Sequence, residues 1–223
     1  MTHQQWTAVD DYFTDQLALA DQTLDAALAA SAAAGLPAIQ VSPPQGRLLQ
    51  LLAGIHGARS ILEIGTLGGY STICLARGLA QGGHVTTLEI DPKHADVAAA
   101  NFARAGLTDV IELRLGPAMD SLSALADEGA GPFDLIFIDA DKPNNPGYFT
   151  WSLRLARPGT VIIVDNVVRN GSVIETSGRS DVVNGVRKVV EMIGGDPRVT
   201  ATAIQTVGGK GYDGFILATV NHL

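Results

Sequence analysis

With 223 residues, 46% of them apolar, and a mean hydropathy of +0.20, the chain can bury a substantial core, which excludes an intrinsically disordered protein. Its 15 Lys and Arg against 23 Asp and Glu leave a net charge of -8 and a pI near 4.9, which argues against a broad electrostatic footprint for nucleic acid or an anionic membrane. The single cysteine, Cys74, excludes an intrachain disulfide and falls in an apolar helical stretch, STICLARGL, where a buried core thiol is expected.

The N-terminus, MTHQQ, has no basic n-region, so no signal peptide is expected and a cytoplasmic protein is. The first forty residues read as helix, with Leu17, Leu24 and Leu28 near a 3.6 period as an apolar stripe. The longest charge-free stretch, Ala26 to Gly46, holds three prolines and Gly35 and makes a poor membrane span. LPAIQVSPPQGR breaks the helix, and Pro43-Pro44 can open the next one, Gln45 to His56. From Ser60 onward, strands are expected at 60–65, 84–90, 110–115, 133–139 and 159–165, with helices near 70–80, 92–105, 117–127 and 146–156. Evenly spaced strands, each followed by a helix, predict an α/β fold: a doubly wound, mostly parallel, Rossmann-like sheet. Beyond a Gly- and Ser-rich loop, Asn166 to Ser180, a helix is expected over Asp181 to Ile193. Val199 to Thr206 and Gly214 to Val220, joined by VGGKGYD, predict an antiparallel hairpin at the sheet's edge. No linker interrupts this order, so 1–223 is expected as one domain, a helical cap (1–57) on a Rossmann-like core (58–223).

Four motifs carry chemistry. ILEIGTLGGYS (61–71) is strand, glycine turn, helix, where Gly65 and its neighbours admit a close ligand and the helix start offers free N–H groups. Its G-x-x-G-G spacing is not the dinucleotide fingerprint, and Glu63 would repel a pyrophosphate while suiting an ammonium or sulfonium; a purely structural tight turn is the alternative. HVTTLEIDP ends a strand in Glu89, which can accept hydrogen bonds from both ribose hydroxyls of an adenosyl group, or be a solvated strand-end acid. FDLIFIDADK and GTVIIVDN end adjacent apolar strands in Asp139 and Asp165-Asn166. Two carboxylates about 5 Å apart, by strand spacing, repel, so one is protonated or a cation sits between them. Three oxygen ligands and no His or Cys suit Mg²⁺, or another hard divalent cation such as Ca²⁺ or Mn²⁺, rather than zinc; capping of neighbouring helices is the alternative.

In order, LEIGTLGGYS, LEIDP, FIDADK, VDNV and the closing YDGFILA resemble the class I S-adenosylmethionine methyltransferases, and most closely the cation-dependent O-methyltransferases of the catechol and caffeoyl-coenzyme A type. The resemblance covers about Val41 to Val220. It implies that Val41, Glu63, Gly65, Thr66 and Ser71 meet the methionine end of S-adenosylmethionine, that Glu89 binds its ribose and that Ala118 lies at its adenine. Asp139, which also matches a cofactor-binding position, joins Asp165 and Asn166 as the protein ligands of the cation, and Lys142 matches the catalytic lysine. A homodimer is implied too. Asp141 departs from the catechol enzymes, which carry an aromatic residue there, and Leu67 stands where other methyltransferases use glycine. The substrate-contacting acid has no clear counterpart in 170–181, where Glu175 and Asp181 are the acids.

These assignments predict in-line methyl transfer to a hydroxyl of a small, catechol-like or hydroxycinnamoyl acceptor. A cation beside Lys142 would disfavour its ammonium form, making it a general base; a salt bridge to Asp139 or Asp141 is the alternative. Tyr148 and Trp151 are expected as core or interface residues, and His3, His56, His84, His94 and His222 at the surface or at helix ends. Three rivals share parts of the pattern. One is an enzyme methylating hydroxylated uridine in transfer RNA, against which the acidic pI leans; the others are a nicotinamide dehydrogenase and a non-catalytic adenosyl-ligand sensor.

Overall fold

Seven strands form one sheet in the computed structural model, which describes residues 2–177 and 180–222. Gly178 and Arg179 of the expected loop, and the two ends of the expected 1–223 unit, lie outside the described residues. The strands are β1 (Ser60–Ile64), β2 (His84–Glu89), β3 (Ile111–Leu115), β4 (Leu135–Ile138), β5 (Val161–Asp165), β6 (Val199–Gly208) and β7 (Gly211–Val220), in the order β3-β2-β1-β4-β5-β7-β6. β1 to β5 pair in parallel, and β7 runs antiparallel to both β5 and β6. Apolar segments such as LIFI and VIIVD suit strands covered on both faces, and this sheet is Rossmann-like as expected.

Among the described residues eight α-helices accompany the strands: α1 (His3–Gln16), α2 (Gln22–Ala33), α3 (Pro43–His56), α4 (Tyr70–Arg77), α5 (Pro92–Arg104), α6 (Ala118–Asp127), α7 (Asn145–Arg154) and α8 (Asp181–Gly195). The period of two divides the core. Leu62, Ile64, Ile136, Ile138, Ile162 and Val164 face the layer of α6 to α8, whereas Ile61, Leu135, Phe137 and Ile163 face the layer that includes α2 to α5. Glu63 and Asp165 share the parity of the second set, so both point toward the side that α3 and α4 cover. Among the described residues no helix is long and apolar enough to cross a membrane.

Two expectations need correcting. The N-terminal helix is two helices, because Asp21 caps a new one by accepting the Thr23 and Leu24 N–H groups, both at 3.0 Å. The same carboxylate holds Arg77 of α4 at 2.6 Å, docking α2 onto the core. Leu17 therefore ends α1 in solvent at 60% exposure, and the stripe with Leu24 and Leu28 is not continuous. At the C-terminus the hairpin strands run further than expected, pairing from Val199↔Val220 to Gly208↔Gly211. The glycine-rich connection is mostly ladder, and Gly209-Lys210 alone makes the turn; β7 lies inside beside β5 and β6 takes the edge.

Candidate active site

The strand order reverses between β1 and β4, where a parallel sheet opens a crevice at its carboxyl edge. A cleft of ≈ 970 Å³ lies there, walled by the β1–α4 turn, the tips of β2, β4 and β5, the start of α6 and the segment entering α3. Of the expected site residues, Val41, Gly65, Thr66, Ser71, Glu89, Ala118, Asp139, Lys142, Asp165 and Asn166 all line it; Glu63 does not.

On one side the glycine turn packs tightly. Gly65 has φ +103°, and a Cβ there would overlap the Asp139 carbonyl at the end of β4. A side chain would thus force apart the two strands that frame the cleft. Gly65→Ala should destabilise the protein by about 3 kcal/mol, from left-handed strain plus backbone displacement. A denaturant midpoint matching the wild type's would contradict this account.

Beside the turn, Glu89 is buried and tethered by backbone N–H groups at the cleft wall. Its Oε2 accepts the Thr66 and Leu67 N–H groups at 3.3 and 2.7 Å, and its Oε1 accepts those of Ile90 and Asp91 at 2.9 and 3.0 Å. These bonds lock the carboxylate at the cleft wall, with His94 Nδ1 3.6 Å from Oε1. Ala118 opens α6 on the same side, and Val41 precedes α3 across the cleft.

Glu63 sits beneath the turn with no exposure. Thr72 and Thr87 donate to its Oε2, the latter at 2.6 Å, and Oε1 has no hydrogen-bond partner. Burial raises its pKa from 4.5 to about 7, against the hydroxyl hydrogen bonds that stabilise the anion. A folded pKa above the unfolded one means that the fold gains stability from the bound proton below about pH 4.5, and loses it as pH rises through 7. That gap is worth on the order of 3 kcal/mol. Between pH 5 and 8 the wild-type Tm should fall, and Glu63→Gln, which cannot titrate, should shrink the fall by several degrees. Equal falls in melting scans of both proteins would assign the effect elsewhere.

Across the cleft, the register Ile138↔Val164 makes Asp139 and Asp165 neighbours at the strand ends, as the sequence predicted. Asp165 is buried, accepting the Gln45 amide at 2.8 Å through Oδ2 and the Asn166 N–H at 2.8 Å through Oδ1. Burial, and then the charge of Asp139, push its pKa up to about 7, while Lys142 pulls the other way. Lys142, itself 7% exposed, donates to Asp139 Oδ1 at 2.9 Å, the salt bridge foreseen as its alternative role. Its backbone is fixed from below, since α8 crosses at Gly185, where a Cβ would overlap the Lys142 carbonyl. Asn166 follows in a left-handed conformation, φ 56°. Among the described residues no three His, Cys, Asp or Glu side chains gather as a metal cluster; the candidate set is two carboxylates and an amide.

Several contacts were not foreseen. Gln45 reaches Asp165 from α3, and the buried Tyr148 hydroxyl donates to Asp141 at 2.5 Å in the cleft wall. Asp213 of β7 gathers the backbone after Asp165. Neither Glu175 nor Asp181 lines the cleft. Cys74 is buried as expected, its thiol pushed up to about 12 by burial.

Comparison with known proteins bears on this geometry. The family model described as O-methyltransferase matches residues 17–219. A catechol O-methyltransferase of Niastella koreensis is 52% identical, over 99% of this chain and 100% of that protein. One of Mycobacterium tuberculosis is 55% identical, over 95% of this chain and 94% of that protein. The crystal structure of an O-methyltransferase from Bacillus cereus in complex with S-adenosylhomocysteine superposes with a TM-score of 0.97 at 59% identity, covering 99% of this chain and 100% of that one.

Proposed function

The chain belongs to the O-methyltransferase family, and from that premise we propose that it moves the methyl group of S-adenosylmethionine to a hydroxyl of a small catechol-like or hydroxycinnamoyl acceptor, with help from a divalent cation. The observation that carries this reading is the juxtaposition, in one cleft, of Asp139, Asp165, Asn166 and Lys142 with the glycine turn and Glu89. The ligand in the Bacillus cereus structure supports the donor, and the names of the Niastella and Mycobacterium relatives support the acceptor class.

The residues present fit a hard cation. Their donors are all oxygen, and the buried Asp165 carboxylate stands beside that of Asp139 at the strand ends, a pair whose repulsion a cation between them would relieve. Bound by Asp139, Asp165 and Asn166, the cation would act as a Lewis acid on the acceptor's hydroxyl oxygens. The chain's own residues do the rest. Gly65, Thr66 and Ser71 admit the donor's methionine end, and Glu89, held by four N–H groups, is oriented to accept the ribose hydroxyls. Lys142 Nζ, held by Asp139 at 2.9 Å, would take the proton of the reacting hydroxyl in its neutral form, which a cation on Asp139 favours by displacing the ammonium's partner and repelling its charge. Alignment of the two reactants supplies much of the acceleration, as effective molarity can be worth about 7–11 kcal/mol.

A panel of catechols, hydroxycinnamoyl thioesters and flavonoids, assayed with labelled donor with and without Mg²⁺, tests the reading. Transfer that excess EDTA leaves untouched would remove the cation; transfer to undermodified transfer RNA and to no panel member would remove the acceptor class.

A further inference from the structure

Beyond Asp165 the chain leaves the sheet along an unusual backbone. Asn166, Arg169 and Asn170 have φ of 56°, 55° and 54°, in the left-handed region that residues with a Cβ seldom adopt. Three such residues within five positions persist only where their surroundings hold them. Asn166, Arg169 and Asn170 all line the cleft.

What holds the segment comes from β7. Asp213 Oδ1 accepts the N–H groups of Val168, Arg169 and Gly214, each at 3.0 Å. Its Oδ2 lies 3.6 Å from Arg169 Nη1. One residue earlier, the Val167 N–H donates to the Gly214 carbonyl at 2.9 Å. The same strand pairs Phe215 with Asp165. β7 thus extends the sheet beside Asp165 and, through one carboxylate, sets the turn on which Asn166 is presented.

We propose that Asp213 is a positioning residue for the Asn166 end of the cation site, which it serves by clamping the 166–170 turn from the neighbouring strand. This rests on the cation reading above. A neutral amide in its place keeps an acceptor oxygen but loses the charge that draws three N–H groups and the Arg169 pair, so the turn loosens while the sheet stays paired. Groups that orient metal ligands typically change cation affinity by 10- to 100-fold.

Mn²⁺ titrations of the wild type, Asp213→Asn and Asp213→Ala, with S-adenosylhomocysteine binding and Tm measured on the same samples, test the proposal. Mn²⁺ affinity should fall about tenfold in Asp213→Asn and up to about a hundredfold in Asp213→Ala. Affinity for S-adenosylhomocysteine, whose expected contacts lie outside the 166–170 turn and β7, should stay within about twofold. An unchanged Mn²⁺ Kd in the variants overturns the proposal, as does a loss shared in full by S-adenosylhomocysteine. If Asp213→Ala does not fold, Asp213→Asn decides. Should the wild type bind no Mn²⁺, the cation reading fails by itself and amide exchange judges the clamp. Faster exchange at Val168 and Arg169 in Asp213→Asn, with the β4 and β5 amides unchanged, upholds it, and unchanged exchange overturns it.

Discussion

Asp165→Ala should lower kcat by about four orders of magnitude while S-adenosylhomocysteine binds within about twofold of the wild-type affinity. The activity loss follows from what the carboxylate holds. A polarising cation is worth several kcal/mol to a developing alkoxide, and each 1.36 kcal/mol is a factor of ten. Donor binding survives because the glycine turn and Glu89 belong to β1 and β2, with β4 between them and β5. The fold survives as well, since opposing effects meet at this position. Gln45 loses an acceptor, which costs about 1–3 kcal/mol, but the repulsion between Asp165 and Asp139 that helps to raise the Asp165 pKa is removed. Asp165→Asn sharpens the test, because it keeps the shape and an oxygen for Gln45 while discarding the charge. A variant of either kind that retains more than a tenth of wild-type kcat, or full activity of Asp165→Ala in excess EDTA, would falsify the cation role.

The Asp139–Asp165 pair was legible in the sequence because both acids end short apolar runs, and runs of that kind become neighbouring central strands when one helix joins them. The glycine turn was legible for the same reason, lying between a strand and a helix. Glu63 shows a limit of reading by motif. Its nearness to the glycines suggested a ligand-facing acid, yet it lies inside β1, with the parity of Ile61, and that parity sends it under the turn to Thr72 and Thr87. The information was present, and periodicity outweighed proximity. Gln45 and Asp213 were not legible in this way. Gln45 meets Asp165 across 120 residues and Asp213 meets Val168 across 45, so only the packing of α3 and the antiparallel return of β7 bring them there. The break at Asp21 lay between: an Asp before a fresh helical run is a cap signal, but the alanine-rich run that follows it masked it.

Lys142→Met should lower kcat by about a thousandfold, within the range that removal of a general base produces, and should also weaken the fold. The two effects have different causes and can be separated. Lys142 is buried against Asp139, beside Asp165, so removing the ammonium leaves two carboxylates facing each other at the strand ends. Breaking one partner of a buried pair typically costs about 3–5 kcal/mol, much of which uptake of a proton by the carboxylates can offset at low pH. Lys142→Arg divides the roles. Guanidinium restores the positive charge beside Asp139, so the Tm should recover most of what Met loses, but it cannot give up its proton and so cannot serve as a base. Activity in Lys142→Arg should therefore stay as low as in Lys142→Met. In the Met variant kcat should climb with pH, as an acceptor phenol with a pKa near 10 begins to ionise without help. If Arg instead restored both Tm and kcat, Lys142 would be a counter-charge for Asp139 rather than the group that takes the proton. A Met variant whose kcat stayed flat with pH would point the same way.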